Sequence, residues 1–213
     1  MDLTPLVRRW LAGWTAARAI APAVGVPGGF RVTLALPGRL HEFVAPDLDG
    51  IAPLAAALHT VEPSWLTAFA TDAEHTEKAL REAGLEFFTA PESFMAVRLA
   101  DQPARRPSDG YTLATAADGP LVRTRVTAPD GTLAATGLMA VAGTDAVAHE
   151  IHTEEAHRRR GLGGVVMTAL AERAADLGAT TGLLIASAAG ERLYTSLGWD
   201  TLATVMTVRV PMG

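Results

Sequence analysis

The stretch Arg158-Arg159-Arg160-Gly161-Leu162-Gly163-Gly164 decides how the chain is read. After it, apolar residues at Val165, Val166, Ala169, Leu170, Ala174 and Leu177 recur at helical spacing, and Gly178 ends the run. A glycine turn therefore opens a helix over about 161–177. A helix N-terminus carries unpaired backbone N–H groups and the positive end of its dipole, so a turn without side-chain bulk admits a phosphate there. Three arginines directly before the turn add charge for a polyanion. The plainer alternative is a capped helix beside a solvated arginine cluster. Two nucleotide readings fail: a dinucleotide fingerprint needs glycine where Val166 stands, and a P-loop needs Gly-Lys-Ser/Thr, which is absent.

Before the turn, residues 111–115, 121–126, 133–141 and 146–153 read as antiparallel strands. Pro129-Asp130-Gly131 and Gly143-Thr144-Asp145 supply hairpin turns. After the helix come a buried strand at 183–186, a short helix at 189–197 and a closing pair of strands within 199–210.

Arg158-x-x-Gly161-x-Gly163 resembles the acyl-donor signature of the GNAT superfamily of N-acetyltransferases. Leu193-Tyr194-Thr195-Ser196-Leu197-Gly198-Trp199 resembles the same family's leucine-tyrosine, two-residue, leucine-glycine-aromatic segment. The resemblance covers about 110–213. It implies an α/β (α+β) fold with a mixed, mostly antiparallel twisted sheet flanked by helices, and an N-terminal α/β half packed against it. It implies acetyl transfer from acetyl-CoA, the co-substrate, by direct attack of a primary amine on a small molecule or peptide. A coenzyme A thioester and an amine acceptor are then the partners, and a homodimer is compatible with the reading. The competing reading is a non-catalytic acyl-CoA-binding sensor or interaction module with the same fold.

Carried over position by position, the resemblance assigns Tyr194 as the acid for the departing thiolate. Ile151, His152 and Thr153 become the strand that receives the pantetheine arm. Arg158, Arg159, Arg160, Gly161, Leu162, Gly163 and Gly164 form the pyrophosphate turn, and Ser187 is a further cofactor contact. Family pattern places a proline at Glu155, an asparagine at Ser187 and an alanine at Gly190, so the chain departs at all three. Glu150 is the preferred base for the amine, directly or through water, with His149 and His152 nearby. Strand alternation puts Glu150 and His152 on one face and His149 on the other.

The first half carries no diagnostic motif. Thr4 before Pro5 reads as the start of an amphipathic helix that includes 8–21, rather than a signal peptide. Strands follow at 30–36 and 40–44, then a helix capped by Asp47 or Asp49, a strand at 65–69, a helix capped by Thr71 or Asp72, and strands at 85–88 and 94–99. The expected division is a half at 1–99, a linker at 100–109 and an acetyltransferase domain at 110–213. No room is left after 111–115 for the helices that usually line the family's acceptor side, so the first half is expected to supply that wall. Ala83-Gly84-Leu85-Glu86 and Met95-Ala96-Val97-Arg98-Leu99 echo Leu197-Gly198-Trp199-Asp200 and Met206-Thr207-Val208-Arg209-Val210. A degenerate repeat would match Leu80 with Tyr194.

Among 213 residues, 49% are hydrophobic and 19% charged, too apolar a balance for disorder. The net charge of -5 argues against a nucleic-acid partner, and no apolar run suggests a membrane span. Without cysteine there is no thiolate nucleophile or disulfide, and the six histidines lack metal-ligand spacing. Cytoplasmic localisation is the expectation. Trp10 and Trp14, four apart, read as helix packing.

Overall fold

The computed structural model describes residues 2–61 and 63–211. Helix α1 (Thr4–Ala17) begins one residue earlier than a Thr4 cap implies: Thr4 is already helical, and its N–H donates to Asp2 Oδ1 at 2.8 Å. It stops short of residue 21, and Ala19 has turned to φ +53°. Strands β1 (Val24–Val26), β2 (Gly29–Leu36) and β3 (Arg39–Ala45) pair antiparallel in succession. Helix α2 (Ile51–Leu58) follows a turn in which Gly50 N–H donates to Asp47 Oδ1. Then come β4 (Ser64–Ala70), α3 (Ala73–Glu82), β5 (Glu86–Phe87) and β6 (Glu92–Arg98). Asp72 caps α3 by accepting from His75 N–H at 3.1 Å.

The second half runs through β7 (Thr112–Asp118), β8 (Leu121–Thr127), β9 (Leu133–Ala142), β10 (Asp145–Thr153), α4 (Leu162–Asp176), β11 (Thr181–Ala186), α5 (Ala188–Ser196) and β12 (Asp200–Arg209). The closing pair of strands expected within 199–210 is instead this single β12. A register shift between Thr201 and Ala203 bends it without breaking it.

Among the described residues the strands form one sheet in the order β1-β2-β3-β4-β12-β6-β11-β10-β9-β8-β7, with β5 beside β12. Strand β6, from the first half, lies between β11 and β12. Strand β12, the last of the chain, reaches β4 of the first half. Each half contains one parallel pair joined by a helix, β3 with β4 through α2 and β10 with β11 through α4. The order β4-α3-β6 is then repeated as β11-α5-β12, with the two final strands exchanged between the halves. The echo between the 83–99 and 197–210 segments falls on these corresponding elements.

Among the described residues helix α1 alone covers one face. Val7, Trp10, Leu11 and Trp14 pack there with Phe69, Phe94, Val147 and Val205. Alternate sheet residues bury under α2 and α3 (Leu66 and Met206 with Leu54 and Leu80) and under α4 and α5 (Met95 and Ala146 with Val166, Leu170 and Leu197). Helix α1 of the first half lies against β9 and β10. The 100–109 segment lies over α4: Arg105 N–H donates to Thr168 Oγ1, and Trp199 Nε1 donates to Gln102 Oε1, each at 2.9 Å.

Candidate active site

Strand β10 has nine residues but pairs with β11 only from Asp145–Thr181 to Val147–Leu183. Beyond that point the two strands part. The corresponding pair in the first half, β3 with β4, stays bonded over five positions to the end of β3. On β10 the parting coincides with a bulge between His149 and His152, where Glu150 takes φ +54°. A non-glycine residue in that region is uncommon and costs backbone strain, so the bulge marks a place where the strand's course is imposed by its surroundings. A cleft of about 1090 Å³ opens there, with Ala148 to Thr153 on one wall and Leu184 to Ser187 on the other. Ladder groups left unpaired by the parting face this cleft and can bond an extended ligand in place of a strand.

The glycine turn closes one end. Gly161 sits at φ +75° with open space where a Cβ would lie. The N–H groups of Gly164 and Val165 donate back to the Gly161 carbonyl at 3.0 and 3.2 Å, whereas those of Leu162 and Gly163 have no backbone partner among the described residues. These two are the donors available to a phosphate. Gly163 lies close to α5: a Cβ there would stand 2.8 Å from Leu193 Cδ2, whose side chain would have to shift.

Of the residues expected at the turn, Arg158, Arg159, Gly161, Leu162 and Gly163 border the cleft, joined by Arg192 of α5. Arg160 and Gly164 do not. Gly164 is buried under the 100–109 segment, where a Cβ would meet Arg105 Cγ at 3.3 Å, and Arg160 is exposed outside the lining. Arg158 is partly occupied in structure, its Nε donating to the Thr153 carbonyl at 3.3 Å. Ser187 borders the cleft, but its hydroxyl caps α5 by accepting from Gly190 N–H at 3.3 Å.

Tyr194 forms the inner end of the cleft. It is buried on α5, with its ring 5.9 Å from that of Trp199 and packed over Gly190, where a Cβ would stand 3.1 Å from Cε2. Burial pushes its phenol up to about 12, so the hydroxyl stays protonated through the neutral range. It has no hydrogen-bond partner among the described residues and is free to donate. Leu80, which a degenerate repeat would match with Tyr194, is fully buried and apolar, and the turn before α2 carries Asp47 and Asp49.

The bulge also overturns the expected alternation along β10. Ile151, which strict alternation puts opposite Ala148, packs with Ala146 and Ala148 into the core under α4. Glu150 is the extra residue; its side chain is 74% exposed and its Oε1 is 3.5 Å from His149 Nε2. That separation leaves His149 Nε2 buried without a well-formed hydrogen bond. Burial, and next the charge of Arg18, push the imidazole below its ordinary range, against a weaker opposing pull from Glu150. His152 is exposed, with Nε2 3.6 Å from Glu154 Oε1.

Glu92 and Arg192 line the cleft and were not singled out by sequence. Glu92 opens β6, and nothing local ties a strand of the first half to a site in the second. Arg192 lies in the quoted segment's helix, where periodicity alone does not separate it from a solvated arginine.

Residues 131–209 match the family of FR47-like proteins. None of the curated proteins matches the chain. Among solved structures, a GCN5-related N-acetyltransferase from Kribbella flavida superposes with a TM-score of 0.75 at 20% identity, over 100% of this chain and 97% of that one. A protein assigned to the GNAT family from Novosphingobium aromaticivorans gives 0.57 at 19% identity, over 99% and 98%. A tandem GNAT protein from the clavulanic acid biosynthesis pathway gives 0.57 at 13%, over 75% and 69%. The chain has the GNAT fold, as the turn and the Tyr194 segment led one to expect. No described helix is long and apolar enough to cross a membrane.

Proposed function

We propose that this GNAT-fold chain is an acyl-CoA-dependent N-acetyltransferase that transfers acetyl from acetyl-CoA to a primary amine of a small molecule by direct attack. The observation that carries the reading is the parting of β10 from β11 in the second half alone, between a glycine turn with two free N–H groups and a buried phenol.

The N–H groups of Leu162 and Gly163 and the cations of Arg158, Arg159 and Arg192 hold the pyrophosphate. Ile151, His152 and Thr153 present backbone groups to the pantetheine arm. Unpaired N–H groups of the parted strand receive the thioester oxygen as charge develops on it, which is where fixed dipoles contribute most. The amine nitrogen bonds to the carbonyl carbon, the carbon–sulfur bond breaks, and the Tyr194 hydroxyl donates to the departing sulfur. A free thiol titrates near about 8.5, well below this phenol, so Tyr194 acts first as a hydrogen-bond donor. Burial of the sulfur in the same cleft raises its own affinity for the proton.

Glu150 and His149 share the removal of the amine proton. His149 is neutral, buried and on the cleft wall, so its Nε2 accepts the proton. Glu150, 3.5 Å away, faces the resulting imidazolium or relays through water.

Acetyl-CoA should raise the melting temperature, because a ligand bound only by the native state stabilises it by mass action. Amine-dependent release of free thiol then separates a transferase from a module that only binds acyl-CoA. No shift with millimolar acetyl-CoA overturns the donor site, and a shift without release under any amine leaves the binding module.

A further inference from the structure

A second cavity, of about 270 Å³, lies on the α1 face of the sheet and shares Glu92, Ala148, His149 and Ile185 with the donor cleft. The two spaces therefore meet where β10 and β11 part. Trp10 and Trp14 of α1 form a rigid wall, their rings stacked at 5.4 Å between centroids. The space is just below the roughly 300–1,000 Å³ typical of ligand pockets, which suits a small molecule better than a length of peptide.

Its charges are unequally satisfied. Glu42 is buried, ion-paired with Arg39 Nη2 at 2.6 Å, and accepts a hydrogen bond from Thr67, so this pair neutralises itself. Arg39 also lies over the Trp65 ring at 4.0 Å. Two lining groups, Arg18 and Glu92, have no such partner among the described residues, and a third, His149, has only Glu150 Oε1 at 3.5 Å. Arg18 stacks on Trp14 at 4.9 Å and makes no ion pair within 4.0 Å. Glu92 has no hydrogen bond or ion pair, and burial raises its carboxyl above the usual range. His149 Nε2 is buried without a hydrogen bond. One unpaired cation thus sits apart from an unpaired carboxylate and an imidazole at the junction with the donor cleft. Arg18 is exposed and Glu92 half-buried, so the cost of burial falls on His149 Nε2, which a ligand would complete.

We infer that this cavity is the acceptor site and that it takes a small amine bearing an anionic group, with the anion on Arg18 and the nitrogen between Glu92 and His149. The inference rests on the acetyltransferase reading and names its substrate class. Arg18 is suited to the role because a guanidinium presents paired donors to a carboxylate or phosphonate. The nitrogen, held at the shared wall, faces the thioester. Glu92 attracts the ammonium form, and His149 takes the proton that must leave before attack.

The test measures thiol release from acetyl-CoA with matched sets built on glycine, leucine and phenylalanine. Each set contains the amino acid, its decarboxylated amine and its aminophosphonic analogue. The expected result is that an anionic member is used about 10- to 100-fold better than its decarboxylated partner, the gain typical of a charged pair. The carboxylate and phosphonate arms show which anion fits. Arg18→Gln should bring the ratio close to one, and Arg18→Lys should retain part of it.

Equal or better use of the decarboxylated amines, or an equal loss on all amines in Arg18→Gln, overturns the inference. Should no member be turned over, melting shifts in the presence of coenzyme A decide. A shift by an anionic member that is lost in Arg18→Gln supports the site, and no shift by any member overturns it. Stabilisation by acetyl-CoA alone would leave the donor reading standing, so the two failures are distinguishable.

Discussion

A Cβ placed on Gly13 of α1 would stand 2.3 Å from Cγ2 of Val147 on β10. The helix therefore crosses the strand with no room for a side chain at Val147, the last residue of β10 paired with β11. Glycine inside a helix ordinarily weakens it by about 1 kcal/mol relative to alanine. Here the sign should reverse. Gly13→Ala must push α1 off β10 at an overpacking cost of about 1–3 kcal/mol. Chemical denaturation should show a lower midpoint for the variant. Unchanged or raised stability would mean that α1 is not seated as described.

The two turn glycines should fail for different reasons. Gly161→Ala puts a methyl into open space but holds it at φ +75°, which costs about 1–2 kcal/mol in the left-handed region. Gly163→Ala keeps an ordinary helical backbone but drives a methyl to within 2.8 Å of Leu193 Cδ2, beside Tyr194 and next to the free N–H groups. Gly161→Ala should lose stability with or without ligand. Gly163→Ala should chiefly weaken acetyl-CoA binding, by about 10-fold, as the loss of one charged hydrogen bond would. Calorimetric titration of both variants, set beside their melting curves, checks the contrast.

On the proposed mechanism His149 sets the acid limb of the rate. Its folded-state pKa is below the ordinary value of 6.5, chiefly through burial. The unfolded chain therefore binds the proton first as pH falls. The contribution of neutral His149 to stability is present above 6.5 and is lost as pH drops through its lower folded value. The rate at low amine should hold across pH 6.5 and fall only further into acid. In His149→Gln the limb assigned to this imidazole should vanish along with much of the rate, whereas Glu150→Gln should move the limb without removing it. A limb unchanged in His149→Gln would take the proton-accepting role away from this residue.

What the sequence disclosed was local. Gly161, Gly163 and the helix after them are contiguous, as are Tyr194 and Trp199, so spacing alone located the turn and α5. Asp72 announced α3 by the same kind of short-range chemistry. The parts that escaped depend on distant pairing. Nothing around Glu92 says that β6 will lie between β11 and β12, or that its first residue will face a cleft of the other half. The bulge at Glu150 had no glycine to signal positive φ, so alternation was extended through it, whereas Ile151 and Ala148 pack into the same core. Gly164 looked like a third phosphate glycine because it adjoins two others, whereas its lack of a side chain accommodates Arg105. Gly13 carries no local signal, because the residue it makes room for, Val147, lies far along the chain.

The central claim is that the parted strands, the turn and Tyr194 form a working transferase site. Its most direct test compares Tyr194→Phe with the parent chain in two measurements on the same protein: acetyl-CoA affinity and the rate of amine-dependent thiol release at saturating donor. Loss of the hydroxyl should lower that rate by about 10²–10⁴-fold, the usual worth of a positioned acid, while affinity changes little because the ring still packs against Trp199 and Gly190. A variant that releases thiol as fast as the parent would contradict the claim.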